Sequence, residues 1–299
     1  MEKISPSNIK ASSHRKKIRI SDIVLKSLIF LFSFITIGVL VLILAYVISQ
    51  GISHINWSFI SDIYNANKGK YGIFPMIVNT VLIVLLTVVI AAPVGICSAI
   101  YLVEYSKPGK IVSLIRFTTE SLAGIPSIIY GIFGFIFFGI TMNLKFSLLS
   151  GAFTLSIMVL PTIIRTTEES LKAVPISFKE GSLALGATKL TTIARVILPC
   201  AIPGILTAVI LSVGRIVGET AALIFTFGQG LDIVDSPFRP GSTLSVHLYI
   251  LSTEGLSLKQ AFATATILII VVALINLAST LVASRIKKLT IGVKDVAGM

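Results

Sequence analysis

Six stretches without a charged side chain, residues 27–48, 72–103, 121–144, 146–164, 196–214 and 261–284, decide what this chain can fold into. A helix rises about 1.5 Å per residue and the hydrocarbon core of a bilayer is about 30 Å thick, so about 20 apolar residues cross it. Backbone N–H and C=O groups find no water there, and a helix satisfies them within one segment. The chain therefore reads as an all-α, polytopic membrane protein with six transmembrane helices. Hydrophobic residues make up 55% of the 299 and charged residues 13%, with a mean hydropathy of +0.97, far from a water-soluble domain. The second run is too long for one straight crossing, and Pro75, Pro93 and Gly95 predict an interfacial start and a kink. Asn143, Lys145 and Ser147 leave only a tight turn between the third and fourth spans, which must form an antiparallel hairpin.

The net charge of +12 does not point to nucleic acid, because the basic residues lie in short segments between apolar runs rather than on one face. Nineteen Lys and Arg fall on one side of the six spans and five on the other. The positive-inside bias puts both termini and segment 165–199 in the cytoplasm. The organisation expected is a basic tail over 1–22 that meets anionic lipid, a permeating domain over 23–288 with its core at about 70–285, and a second tail over 289–299. The first run exceeds a signal-peptide core and no small-x-small site follows it, so it is read as a retained anchor. Segment 228–259, with Pro237, Pro240 and Gly241, reads as an external loop with a partly embedded stretch at 244–251. Cys97 and Cys200 read as small buried hydrophobes without a disulfide. His14, His54 and His247 fall in separate loops and read as solvated or interfacial, so no metal is expected. Gly109-Lys110 and Gly186-Ala187-Thr188-Lys189 both fail the pattern of a phosphate-binding loop. No cofactor is expected, and if ATP is used another chain must bind it.

Two places carry chemistry. Segment 165–199 is the most polar long interval, with Glu180-Gly181-Ser182-Leu183-Ala184-Leu185-Gly186 followed after nine residues by Val196-Ile197-Leu198-Pro199. Pro175 predicts a helix start, Glu180 and Ala184 share a face, and Gly186 stops the helix. Such a short, small-residue surface suits insertion into a partner's cleft, and a lipid-surface helix is the competing reading. The second place is Gly214-Arg215-Ile216-Val217-Gly218-Glu219-Thr220. A helix starting near Pro199 or Pro203 reaches Arg215 after about 18 to 24 Å. A guanidinium at that depth costs a few kcal/mol and must face protein, water or a partner charge. Gly204, Ala208, Ser212, Arg215, Glu219, Ala222 and Thr226 follow steps of three or four on one helical face. Arg215 and Glu219 can be a structural ion pair, or a pathway site where the fork of donors meets an oxyanion; the flanking glycines leave room beside the charge. Arg165, in Arg165-Thr166-Thr167-Glu168-Glu169, is a second pathway candidate at the cytoplasmic end of the fourth span, with headgroup contact as the alternative.

The Glu180…Gly186…Val196-x-Leu198-Pro199 pattern resembles the signature of bacterial ABC importer permeases, with Gly181 and Ser182 in place of two alanines and Val196 for isoleucine. Leu122-Ala-Gly-Ile-Pro-Ser-Ile-Ile-Tyr-Gly-Ile-Phe-Gly134, Leu160-Pro-Thr-Ile-Ile-Arg-Thr-Thr-Glu-Glu-Ser-Leu-Lys-Ala-Val-Pro175 and the Gly214 to Thr220 stretch resemble phosphate-specific permeases of the PstA type, over most of 70–285. The resemblance implies a type I (MetI-like) importer fold in the inner or plasma membrane of a bacterium. It implies alternating access driven by two ATPase subunits (PstB type), a heterodimer with a PstC-type permease, and an external phosphate-binding protein (PstS type). It carries importance onto Arg215, Glu219 and Arg165 for the substrate pathway, and onto Glu180, Ala184 and Gly186 for the ATPase contact. The remaining alternatives are a permease for another oxyanion, such as sulfate or molybdate, and a secondary transporter.

Overall fold

The computed structural model describes residues 20–65, 70–107, 109–254 and 257–291; the predicted tails lie outside this set for residues 1–19 and 292–299. The chain divides into two compact units, 1–47 and 48–299. The first consists of helix α1, Ile20–Ile52, as far as Val47. From Val24 to Tyr46 its residues are exposed and mostly apolar, with Phe30, Phe32, Phe34 and Leu42 all well exposed. A helix apolar all round and unburied by its own chain is what a lipid-facing crossing requires.

The second unit is built on three packed helices. α2 (Trp57–Ser61) and a two-residue antiparallel pair, β1 (Tyr64–Asn65) with β2 (Lys70–Tyr71), lead into α3 (Phe74–Ile100), which continues as a π-helical turn over Tyr101–Tyr105. α3 starts with Pro75 in its first turn and passes Pro93 without ending. α6 (Leu148–Lys172) lies against it, and α9 (Leu198–Val217) packs on α6 after a lead-in of α8 (Lys189–Thr192) and a π-helical turn at Ile193–Ile197. Ile83, Leu155, Met158, Val159, Ile216, Leu223 and Phe227 form the apolar centre where they meet. α12 (Leu258–Ile291) packs on α9 and on α11 (Leu244–Thr253), a helix too short to cross a bilayer.

Among the described residues, five helical stretches are long and apolar enough to cross a membrane: Val24–Ile52, Phe74–Tyr105, Leu148–Lys172, Lys189–Val217 and Leu258–Ile286. The third expected span is a bent pair, which makes six if its two halves count as one crossing. Residues 121–144 do not form one helix; α4 (Lys110–Ala123) and α5 (Ser127–Gly134, prolonged to Thr141 by π-helical turns) meet at a bend of 103°. The cause is Gly124-Ile125-Pro126: proline lacks the N–H and drives the residue before it out of the helical region. Tyr130 closes the corner, its buried hydroxyl donating to the Leu122 carbonyl at 2.8 Å.

α6 also runs two turns past the apolar limit at Ile164, because Arg165–Glu169 (3.3 Å) and Glu168–Lys172 (2.7 Å) are i,i+4 pairs. At its other end the orphan N–H groups of Ser147, Leu148 and Leu149 are taken by the carbonyls of Thr226, Arg239 and Pro237. Segment 228–243 is thereby tied to the helix starts, and Asn79 of α3 pins it further. The Asn79 amide donates to Asp232 (3.0 Å) and Ser242 (3.4 Å) carbonyls and accepts from the Val234 N–H (3.0 Å). Two minor expectations fail. Cys97 and Cys200 are free and exposed on the outside of the helices, where an apolar thiol suits lipid. His247 is buried on α11, edge-on to Tyr64 at 5.2 Å between ring centroids.

Candidate functional site

The Gly214 to Thr220 stretch is a break between two helices, not one continuous face. α9 ends at Val217, and α10 (Ala221–Thr226) begins after three intervening residues. Gly218 and Glu219 both turn their N–H groups back to the Ile216 carbonyl. The Glu219 carboxylate accepts from the Ala222 N–H at 3.1 Å and so caps α10, while the Glu219 carbonyl takes the Ser245 hydroxyl at 2.7 Å. Glu219 is thus held from both sides, by α10 and by α11. This removes it from the ridge on which a straight helix would have set it beside Arg215. Among the described residues no carboxylate lies within ion-pair distance of the Arg215 guanidinium; its electrostatic neighbour is Tyr130, at the α4–α5 corner.

Arg215 is half-buried in the last turn of α9, where the helix dipole places partial negative charge. The space beside it is open: a side chain on Gly218 would meet nothing within 4 Å, and one on Gly214 would meet only the Asn276 amide, at 3.6 Å. α5 approaches closely from the other side. A β-carbon on Gly131 would sit 2.9 Å from the Ala222 Cα, so glycine is what lets α5 rest on the first turn of α10. The break therefore leaves a half-buried guanidinium beside open space at Gly218, while the start of α10 is already occupied by the Glu219 carboxylate.

Arg165 belongs to a different place. With α4 it lines a cleft of about 430 Å³ between α4 and α6 that includes neither Arg215 nor Glu219. Its guanidinium reaches Glu120 of α4 at 3.4 Å and Glu169 at 3.3 Å, all three groups well exposed. Glu168 also lines the cleft; its side chain is only 8% exposed, accepts from Lys172 at 2.7 Å and is ion-paired with Arg116 of α4 at 3.3 Å. Three cations and three carboxylates alternate there. The chain thus parts the predicted pair at the α9 break, and it keeps Arg165 near the end of α6 that leads into the next helix, α7 (Ile176–Ala184).

The third place is α7 itself, Ile176–Ala184, started by Pro175 and closed by Gly186 at φ +81. The Leu185 N–H bonds Gly181, Gly186 bonds Leu183 and Ala187 bonds Ser182, so the left-handed residue satisfies the orphan carbonyls. Glu180, Ala184 and Gly186 are exposed, Leu185 stands 91% exposed, and no residue of α7 is buried. Sequence reasoning missed Tyr130, Ser245, Glu168 and Asn79 as contributors. An isolated Asn79-Thr80 inside an apolar run was the available signal for the last; Ser245 and Glu168 act through Glu219 and Arg116 on other helices, and Tyr130 acts through the Leu122 carbonyl across the bend at Pro126.

The family of proteins described as binding-protein-dependent transport system inner membrane component matches residues 91–290. This chain belongs to that family. The permease is 35% identical over 271 residues to the probable ABC transporter permease protein YqgI of Bacillus subtilis, covering 85% of this chain and 92% of that one. It is 34% identical over 214 residues to the phosphate transport system permease protein PstA 1 of Mycobacterium tuberculosis, covering 71% of this chain and 70% of that one. Among solved structures, a chain of a bacterial ABC transporter that imports alginate superposes with a TM-score of 0.65 at 17% identity, over 90% of the permease and 99% of that chain. The MetNI methionine transporter gives 0.57 at 22% identity, over 72% and 94%. These last two establish the fold, that of an ABC importer permease subunit.

Proposed function

We propose that this permease subunit imports inorganic phosphate by alternating access, powered by ATP hydrolysed in partner chains that dock on α7. The observation that carries the reading is the Arg215 guanidinium, half-buried in the last turn of α9 beside open space and without a carboxylate partner among the described residues. A half-buried guanidinium at that depth, without a carboxylate from the described residues, favours an anion reaching it, and its donor fork fits a tetrahedral oxyanion. The relatives named as phosphate transport permeases supply the choice of anion. The partners follow the same line: a PstC-type permease, two PstB-type ATPases and a PstS-type external binding protein, with both termini and α7 on the cytoplasmic side. Arg165, in its charge-balanced cleft at the α7 end, serves the exit of the pathway, and Glu180, Ala184 and Gly186 meet the ATPase.

The test is uptake of labelled phosphate by membrane vesicles holding the full complex. Arg215→Gln is expected to lower uptake at least tenfold at wild-type protein levels, the scale of one lost charge-assisted contact. Because the Glu219 carboxylate caps α10, a second change of Glu219→Gln will not restore transport. Normal uptake by Arg215→Gln refutes the pathway role. Stronger competition by sulfate or molybdate than by unlabelled phosphate refutes the choice of anion.

A further inference from the structure

We propose that the ion pair between Glu104 and Lys179 is the link that carries movement of α7 into α3, making both of them positioning residues for transport; this rests on the coupling role of α7 proposed above. Glu104 sits in the π-helical turn that ends α3, and its side chain is only 5% exposed. The Lys179 ammonium reaches it from α7 at 2.5 Å. One residue further along α3, the Tyr105 ring receives the Lys189 ammonium at 4.8 Å from its centroid, from the first residue of α8. One cation within α7 and one just after it in sequence thus hold two consecutive residues of the turn that ends α3.

The surroundings make these ties the effective route. α7 has no buried residue, and open space surrounds Gly181 and Gly186, so apolar packing does not fasten the helix to the bundle. The Ser182 hydroxyl contacts that of Thr192 at 3.0 Å, but this joins α7 only to the neighbouring α8. α3, by contrast, is packed along α6 and α9 and contributes to the apolar centre through Ile83, Val84 and Ala91. A carboxylate taken out of water keeps its cation close, because separating the two leaves a buried charge uncompensated. The contact is therefore short and strongly resists being pulled apart. Whatever displaces α7 pulls on the end of α3 through it, and α3 passes the displacement to the helices that frame the Arg215 break.

The test uses the whole complex, permease pair, ATPase subunits and external binding protein, in proteoliposomes, with ATP hydrolysis and phosphate uptake measured together. Glu104→Lys, Lys179→Glu and the charge-swapped double variant are compared, with Glu104→Gln as the mildest change. Each single charge reversal is expected to leave an assembled complex that hydrolyses ATP, while ATP consumed per phosphate imported rises at least tenfold. The double swap is expected to return that ratio to within about threefold of wild type. Single variants with a wild-type ratio overturn the proposal, as does a double swap that restores nothing. Parallel loss of assembly, hydrolysis and uptake in all four variants shows a purely structural pair and overturns it too. A wild-type complex without ATP-dependent uptake would sink the coupling reading itself, a result distinct from wild-type coupling that the pair variants leave intact.

Discussion

Glu168→Gln tests how the amphipathic helix α4 is held. α4 has no buried residue, and Ile111, Leu114 and Phe117 are exposed, so apolar packing against the core is confined to Leu122 at the corner and leaves the rest of the helix to other contacts. Its attachment to α6 is ionic: Arg116 to Glu168, and Glu120 to Arg165. The second pair is mostly exposed on both sides and is worth a few tenths of a kcal/mol. Glu168 is different, because its carboxylate is 8% exposed and receives two cations, at 2.7 and 3.3 Å. A charge-assisted bond to a buried group contributes about 1.5 to 3 kcal/mol. Lys172 and Arg116 are about half exposed and recover water when released, so the value is discounted to about 2 kcal/mol for the two contacts together. Glutamine keeps the volume and one acceptor, which isolates the charge. At about 2 to 4 °C per kcal/mol, the melting temperature of the chain in lipid nanodiscs should fall by about 4 to 8 °C. Amide exchange should rise across 110–123 before it rises in α6. An unchanged melting temperature, or faster exchange in α6 with α4 unaffected, would show that the carboxylate does not hold α4 in place.

Two further outcomes follow from single residues. Gly186 is left-handed at φ +81 with empty space around it, so Gly186→Asp should leave insertion and protein level intact at a backbone cost of about 1 kcal/mol, yet lower uptake at least tenfold; Gly181→Ala, in equally open space, should be silent in the same vesicle assay. Burial lowers the His247 pKa from 6.5 to about 4. Above pH 6.5 the imidazole is neutral in both folded and unfolded chains and has no effect. As pH falls from 6.5 towards 4 the unfolded chain takes up a proton that the folded one refuses, so up to about 3 kcal/mol of stability is lost. Thermal unfolding at pH 7.5 and 4.5 should show this loss, and His247→Phe should reduce it; an equal loss in the variant would assign it to other groups.

The spans were legible because crossing a bilayer depends on a local sum, about 20 apolar residues in a row, that any window along the chain reveals. Helix α7 was legible for the same reason: Pro175 and Gly186 set backbone angles by their own chemistry, whatever surrounds them. The family pattern lies in those same local stretches. What the sequence did not contain was the partner of each charge. Arg215 and Glu219 stand four apart and suggest one face, yet the Ser245 hydroxyl, 26 residues away, and the Ala222 N–H draw Glu219 off the helix. Glu104 finds Lys179 across 75 residues, and Glu168 finds Arg116 because α4 folds back at Pro126. Hydropathy and helix stop signals act within a turn or two of one residue, so they are written in order along the chain. Pairing of buried charges is decided only after the helices have packed, because a carboxylate in low dielectric settles on whichever cation the packing brings within reach.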